Sequence, residues 1–457
     1  MATQITAGAI PDAVIELCKQ LQRAGHRGWV VGGSVRDLLR GAEVHADWDL
    51  ATTATPQQVS KVFKRVIPTG IDHGTVTVVF RGDSYEVTTL RGEGAYSDGR
   101  RPDSVHFVTD IDDDLARRDF TVNAIAFDPL DGKLADPFGG QQDIERRVLR
   151  TVGAAAERFD EDGLRVLRAA RFVATLEFEL EQATRDAIGG ALSRFEGVSP
   201  ERVRDEWVKT MRAGSPSRAF EVMRDTGILG VTCPDLMDQV GCEQNKHHAF
   251  DVWGHSMACM DACEGDAVHR LAGLLHDLGK PATRELSDKT KDYTFYNHEQ
   301  VGARMADSWL RKLRFSNDER GRIVHLVRHH LICYTEAWSD AAVRRFTKRV
   351  GLEALDDLLA LGRADALAKG RPAQEDVDNL LRLRQRIDKL VDEGAAFGVR
   401  DLAIGGGDVI KHLDITPGPI IGKILAELLE QVLDDPTLNE RDALLSLSEA
   451  AAEREQV

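Results

Sequence analysis

Strand-forming sequence is concentrated in the first third of this chain, and that confines the folds open to it. "GWVVGG" (28–33), "TVTVVF" (75–80) and "YEVTTL" (85–90) are short β-branched runs, while residues 11–24 and "SVRDLLRG" (34–41) carry helical apolar spacing. From about residue 151 the strand signals largely disappear, and stretches such as "GLRVLRAARFVATL" (163–176) and "AVHRLAGLLHDLG" (267–279) repeat at helical spacing. The expected fold class is α+β: an N-terminal head with a small mixed β-sheet, then an all-α remainder. At 457 residues the chain has room for two to four domains.

Composition excludes some function classes. The formal charge is −16, which disfavours coating nucleic acid by bulk attraction. Most of that excess lies in 231–457, so a local basic groove nearer the N-terminus stays open. The cysteines (Cys18, Cys233, Cys242, Cys259, Cys263, Cys333) form no CxxC pair and read as scattered reduced thiols. No apolar run approaches the roughly 20 residues that span a bilayer, and no basic-then-apolar leader opens the chain, so a cytoplasmic protein without a membrane partner is expected.

"GGSVRDLLRGAEVHADWDL" (32–50) carries the first chemical signal. Read as a strand, it turns Asp47 and Asp49 to one face, where two carboxylates repel unless a cation neutralises them. Carboxylate oxygens completed by water and substrate phosphates suit Mg²⁺, which can activate a hydroxyl and stabilise departing pyrophosphate. Gly32 and Gly33 then let backbone N–H groups approach a triphosphate, with the helix beginning near Ser34 and Arg36 close by. Glu86, in "YEVTTL", is the candidate third carboxylate from a neighbouring strand.

Further stretches carry hydrogen-bonding chemistry. In "RRDFTVNAIAFD" (117–128), Asp119 and Asn123 lie four apart and on a helix would offer ribose hydroxyls an acceptor and a mixed donor and acceptor. In "EDGLRVLRAARF" (161–172), a helix would put Asp162 and Arg165 on one face, with Arg168 and Arg171 continuing the row. A carboxylate and a guanidinium so placed can read a base edge; a salt-bridged amphipathic face fits the same spacing. Together with "DPFGGQQDI" (136–144) and "SPERVRDE" (199–206), in this order, these motifs resemble the class II nucleotidyltransferases, the CCA-adding enzymes and bacterial poly(A) polymerases. The resemblance assigns Asp119 and Asn123 to sugar recognition and gives Arg118 a nucleotide contact. It makes Asp162 and Arg165 the readers of CTP and then ATP, oriented by Glu161, with Arg168 and Arg171 holding the nucleotide. It also likens the loop 91–104 to the flexible loop used in switching from C to A addition.

Downstream, His255, His276, Asp277, His298, His330 and Asp365 form a second set, of which the adjacent His276 and Asp277 would be costly to bury without partners. Metal ligation would explain them. The set resembles the HD phosphohydrolases, which implies one or two divalent ions; of the adjacent His329 and His330, His330 is the assigned ligand. The resemblance divides the chain into a catalytic head (1–150), a neck (151–230) that reads the base and binds RNA, an HD body (231–380) and a tail (381–457), with the helical part elongated. The function it implies is Mg²⁺-dependent addition of CMP and AMP to tRNA 3′ ends from CTP and ATP, with an HD phosphohydrolase activity as an extra. An A-adding enzyme, a poly(A) polymerase, and a protein acting chiefly through the HD set are the rivals, and the oligomeric state stays open.

Overall fold

The computed structural model describes residues 5, 7–42, 44, 48–92, 106–246 and 248–455, so Asp47 and most of the loop 91–104 lie outside the described residues. The chain divides into two compact units, Met1–Met237 and Asp238–Val457. No helix among the described residues is long and apolar enough to cross a membrane.

The first unit opens with helix α1 (Asp12–Arg23), whose apolar stripe buries Val14, Leu17, Cys18 and Leu21. In chain order follow β1 (Gly28–Val31), α2 (Gly33–Leu39), β2 (Asp49–Thr52), α3 (Pro56–Val62), β3 (Val66–Gly70), β4 (Thr75–Phe80), β5 (Asp83–Thr89), α4 (Ile111–Ala116), β6 (Ala126–Asp128), β7 (Lys133–Ala135) and α5 (Gly140–Arg146). The seven strands form one sheet in the order β3-β4-β5-β2-β1-β6-β7. The central strand β1 is buried throughout, and Trp29, Val31, Ala51, Leu90, Leu115 and Ala126 share one core.

One pairing sets up the site. β2 runs parallel to β5 with Leu50 opposite Val87, so Asp49 and Glu86, the residues just before them, stand side by side on strands about 4.8 Å apart. After β1 the chain turns at Gly32 (φ 74°, ψ −133°), a conformation open to glycine alone, and a Cβ there would stand 3.2 Å from Arg118 Nη1.

Beyond the sheet come α6 (Ala155–Glu161) and α7 (Leu164–Leu176), and the sequence expectation needs correcting here. "EDGLR" is not one helix. Asp162 leaves α6 with φ −144° and ψ 104°, and its Oδ1 accepts the Leu164 N–H at 3.0 Å. Gly163 explains the break: a Cβ there would lie 2.7 Å from the backbone of Arg194 and Phe195, so the chain kinks where those segments touch. The stretch holding Asp119 and Asn123 is likewise no α-helix, because only Thr121–Asn123 forms a 3₁₀ turn.

The second unit is almost wholly helical, apart from the short pair Glu285–Leu286 and Tyr293–Thr294. Helices Val252–Ala262, Ala267–Leu275, Asn317–His329 and Leu355–Ala368 pack around one core, with His298–Lys312 against Asn317–His329. A second core, including Ile424, Leu428, Val432 and Leu444, joins helices Pro419–Asp434 and Arg441–Arg454.

Candidate active site and candidate metal centre

In the first unit a cavity of about 510 Å³ opens between the sheet and α7. Its walls hold Gly32, Gly33, Arg36, Asp49 and Glu86 from the sheet side. Arg118, Asp119 and Asn123 face it from the segment after α4, and Asp162, Arg165 and Arg168 from the helical side. Of the candidates named from sequence, Arg171 does not line it; its Nε donates to Glu206 Oε2 at 2.5 Å behind the wall. Six arginines and four acids line the cavity, so a basic site sits inside an acidic chain. The lining has no histidine or cysteine among the described residues; its anionic donors are hard carboxylate oxygens, the donor set that suits Mg²⁺ over softer metals.

Most of these side chains hold one another. Arg168 donates from Nε (2.8 Å) and Nη2 (2.7 Å) to Asp119 Oδ2, while Asn123 Nδ2 donates to Asp119 Oδ1 at 3.1 Å. Arg36 Nη1 reaches Asn123 Oδ1 at 2.6 Å. Arg165 donates to Glu161 Oε2 at 2.5 Å and to the carbonyls of Arg158 and Arg117, both at 2.9 Å. Asp162 does not pair with Arg165; it takes a two-pronged contact from Arg202, at 3.2 and 2.6 Å. The guanidinium groups of Arg36, Arg168 and Arg171 gather around the Phe172 ring, at 5.5, 5.3 and 3.9 Å from its centroid. Helix α2 has only two turns, so the positive potential comes chiefly from arginines and little from its dipole.

Sequence reasoning missed Arg91, Arg117, Thr88 and Phe172 in the lining, and Arg202 and Glu206 behind it. Arg202 and Glu206 belong to "SPERVRDE", whose spacing says nothing about partners 35 to 40 residues away. Arg91 follows β5 without any periodic signal.

Burial would raise the Asp119 carboxyl, but Arg168 and the Asn123 hydrogen bond outweigh it and hold its pKa at about 2. A carboxylate depressed below its unfolded value of 3.8 stabilises the fold above that value and loses its contribution as pH falls toward 2. The shift is worth on the order of 2 kcal/mol. Asp119→Asn is therefore expected to flatten the loss of thermal stability between pH 4 and pH 2, read by calorimetry at pH steps; a wild-type slope in the variant would refute this.

The second cluster is more compact. His255, His276 and Asp277 bring ligand atoms within 4.8 Å of one another, and so do Asp277, His298 and His330. Asp365 joins the first group, 3.0 Å from His255 Nε2. His329 stays outside and packs on the His325 ring at 4.6 Å. Each Nδ1 faces a carbonyl: His255 that of Ala368, His276 that of Gly273, His298 that of Phe295 and His330 that of Val327, at 3.2, 2.8, 2.7 and 2.8 Å. A carbonyl only accepts, so each Nδ1 donates to it and each Nε2 is turned inward. His255 and His276 Nε2 then meet at 3.2 Å, and His298 and His330 Nε2 at 3.3 Å. Two ring nitrogens at that range need a proton or a metal ion between them. Asp277 Oδ2 faces the first pair and Oδ1 the second, and neither buried oxygen has a hydrogen bond of regular geometry. Burial and the neighbouring His276 push His330 down to about 3, which keeps it neutral. Burial would also lower His276, but Asp277 outweighs it and raises the ring to about 9. That proton sits where a metal ion would displace it.

Comparison with known proteins bears on both sites. Residues 28–150 match the poly A polymerase head domain, 177–239 the probable RNA and SrmB-binding site of polymerase A, and 294–447 a tRNA nucleotidyltransferase domain 2. A CCA-adding enzyme of Lactobacillus johnsonii is 47% identical over 216 residues, 47% of this chain and 54% of that protein. One from Streptococcus suis is 30% identical over 450 residues, 96% of this chain and 97% of the relative. The Bacillus stearothermophilus CCA-adding enzyme in complex with CTP superposes with a TM-score of 0.74 at 29% identity, covering 97% of this chain and 98% of the other. The chain belongs to the class II family of CCA-adding nucleotidyltransferases.

Proposed function

We infer that this chain adds CMP and AMP from CTP and ATP to tRNA 3′ ends without a nucleic-acid template and releases pyrophosphate. The observation that carries the reading is that one cavity joins the adjacent carboxylates Asp49 and Glu86 to the base-reading candidates Asp162 and Arg165. Chemistry and selection thus share one floor.

The terminal ribose hydroxyl attacks the α-phosphorus; the new O–P bond forms as the bond to the bridging oxygen of the leaving pyrophosphate breaks. Enzymes of this family depend on a divalent metal, and we propose Mg²⁺, held by Asp49 together with Asp47, which supplies charge stabilisation at the reacting phosphate. Glu86 orients the attacking hydroxyl. Arg36, Arg118 and Arg168 hold the nucleotide, Gly32 and Gly33 let the phosphates approach the backbone, and Asp119 and Asn123 bond the ribose. Cytosine and adenine each present an amino donor beside a ring-nitrogen acceptor, so Asp162 can accept from the first while Arg165 donates to the second. Uracil and guanine put a carbonyl where that amino group stands, facing Asp162 with like partial charge. We assign catalysis to 1–150, base reading and RNA contact to 151–230, the metal cluster to 231–380 and the tail to 381–457.

The test supplies tRNA lacking its CCA end with CTP, ATP or both. CMP addition with CTP alone and completion only with both are expected; AMP addition without CMP addition would favour an A-adding enzyme or poly(A) polymerase.

Arg202 gives a further expectation. Because it fixes both oxygens of Asp162, Arg202→Ala should lower kcat/KM for CTP and ATP about tenfold or more while UTP and GTP misincorporation rises relative to them. Single-turnover assays with each nucleotide check this, and an unchanged discrimination ratio would refute it.

The inward-facing Nε2 atoms favour a second reading for the other unit. We propose that His255, His276, Asp277 and Asp365 hold one divalent ion and Asp277, His298 and His330 another, supplying the activation of water for phosphoester hydrolysis.

A further inference from the structure

We propose that Asp114, a buried carboxylate outside the cavity, is a positioning residue for nucleotide transfer: it sets Arg118 against the phosphate-facing turn and fixes the backbone on which the base-reading candidate Arg165 rests. The proposal rests on the reading of the cavity as the nucleotide site.

Asp114 stands in a run of acids, and burial singles it out. Asp112 and Asp113 are exposed, while the Asp114 side chain is 1% exposed and is not among the residues that line the cavity. In α4 it sits three and four residues ahead of Arg117 and Arg118, so one carboxylate faces both guanidinium groups. Arg117 donates to Oδ1 from Nε at 3.0 Å and from Nη2 at 2.5 Å, and Arg118 Nη2 donates to Oδ2 at 3.2 Å. Oδ1 also accepts the Arg91 N–H at 3.3 Å, and Arg117 Nε reaches the Arg91 carbonyl at 3.1 Å. All three arginines line the cavity, yet their common anchor lies behind it.

Two branches lead from this anchor to the nucleotide. Through Arg118 it reaches the phosphate side: a Cβ at Gly32 would stand 3.2 Å from Arg118 Nη1, so the guanidinium lies against the turn that follows β1. Through Arg117 it reaches the base side. The Arg117 carbonyl accepts Arg165 Nη2 at 2.9 Å and the Ala116 carbonyl accepts Arg158 Nη1 at 3.1 Å, so α6 and α7 take hold of the head at the end of α4. Charge is what the anchor supplies. Burial opposes the Asp114 carboxylate, yet Arg117 and Arg118 outweigh it and hold the carboxyl below its ordinary pKa. Burial likewise pulls Arg117 down to about 10; Asp114 opposes that fall, and Arg91 and Arg118 add to it. Without the carboxylate charge the neighbouring guanidinium groups repel one another and both branches shift. The branches end on the nucleotide, not on the attacking hydroxyl, so the loss falls on affinity and selection before it falls on turnover.

The experiment measures steady-state incorporation below each chain's melting temperature, of CMP into tRNA lacking its CCA end and of AMP into tRNA ending in CC. In Asp114→Asn the KM for CTP and ATP should rise about tenfold, kcat should stay within about threefold, and UTP incorporation should rise relative to CTP. A merely structural role reads differently, since a smaller folded fraction lowers kcat and leaves KM and the UTP-to-CTP ratio alone. Asp114→Glu keeps the charge and displaces both arginines by one methylene; it should show the same split in smaller measure, and it serves where Asp114→Asn does not fold. Asp113→Asn loses the same charge from an exposed neighbour and should match the wild type. A folded Asp114→Asn with wild-type KM and ratio, or with kcat alone reduced, overturns the proposal. So does the same split in Asp113→Asn, or wild-type values in Asp114→Glu where Asp114→Asn does not fold. A wild-type chain that adds no CMP fails at the first measurement instead, which overturns the nucleotide-site reading and this proposal with it.

Discussion

Asp49→Asn is expected to lower the single-turnover rate of CMP and AMP incorporation by about 10³-fold or more, with the fold intact. Asn keeps the shape of the side chain and removes its negative charge, so a cation drawn to this corner of the cavity loses a ligand while the strand stays in place. A metal ion stabilises developing phosphoryl charge by several kcal/mol, and each ~1.4 kcal/mol is a factor of ten in rate. Among the described residues Asp49 opens β2 at the sheet's one parallel junction, beside Glu86, and no other carboxylate stands at the same height on β1 or β5. Glu86→Gln should therefore cost less than Asp49→Asn if it orients the hydroxyl, and as much if it holds metal. CTP affinity should change far less than the rate, because Arg36, Arg118 and Arg168 are untouched. An Asp49→Asn enzyme within tenfold of the wild-type rate, with a normal melting temperature, would remove the basis for metal-assisted transfer at this site.

The parts of this architecture that were legible beforehand are those written into local pattern. β-branched runs mark β1, β4 and β5, and the helical period marks α1 and α7, because side-chain burial on one face repeats at the period of the element. The grouping of Asp49 with Glu86 was legible only as chemistry: two acids need a shared cation, but the parallel pairing that joins β2 to β5 is a fact of topology. Where spacing was read as one continuous helix the chain departs from it, although the residues so spaced still line one cavity. Asp162 and Arg165 have the separation of helical neighbours, yet Gly163 breaks the helix for the sake of backbone packing against Arg194, and each side chain finds a partner elsewhere. Arg171 continues the same row and is claimed by Glu206 from helix Pro200–Thr210. The histidine–aspartate cluster met the opposite fate, since six residues spread over more than a hundred positions converge, their chemistry being too costly to bury apart.

That convergence makes the second large expectation. The wild-type chain should bind two divalent ions and, at a hundredfold excess over the dissociation constant, gain about 2.7 kcal/mol of stability from each site. The gain arises because the metal-free arrangement brings two pairs of buried Nε2 atoms together and leaves Asp277 Oδ1 without a hydrogen bond of regular geometry. Asp277→Asn removes the one group that faces both positions, so metal content should fall to near zero. The same change leaves Lys280, 2.6 Å from Asp277 Oδ2, without its carboxylate, and a broken buried pair costs roughly 3 to 5 kcal/mol. Lost stability could thus imitate lost metal. His298→Gln separates the two, since it touches only the Oδ1 position and leaves Lys280 paired: one ion per chain should remain, with about half the stabilisation. Metal analysis and melting curves with and without chelator read both variants, while CMP incorporation stays at the wild-type level because Asp49 and its neighbours belong to the other unit. Two ions bound in His298→Gln, or a wild-type melting temperature indifferent to every divalent ion, would show that these histidines are satisfied by the protein alone.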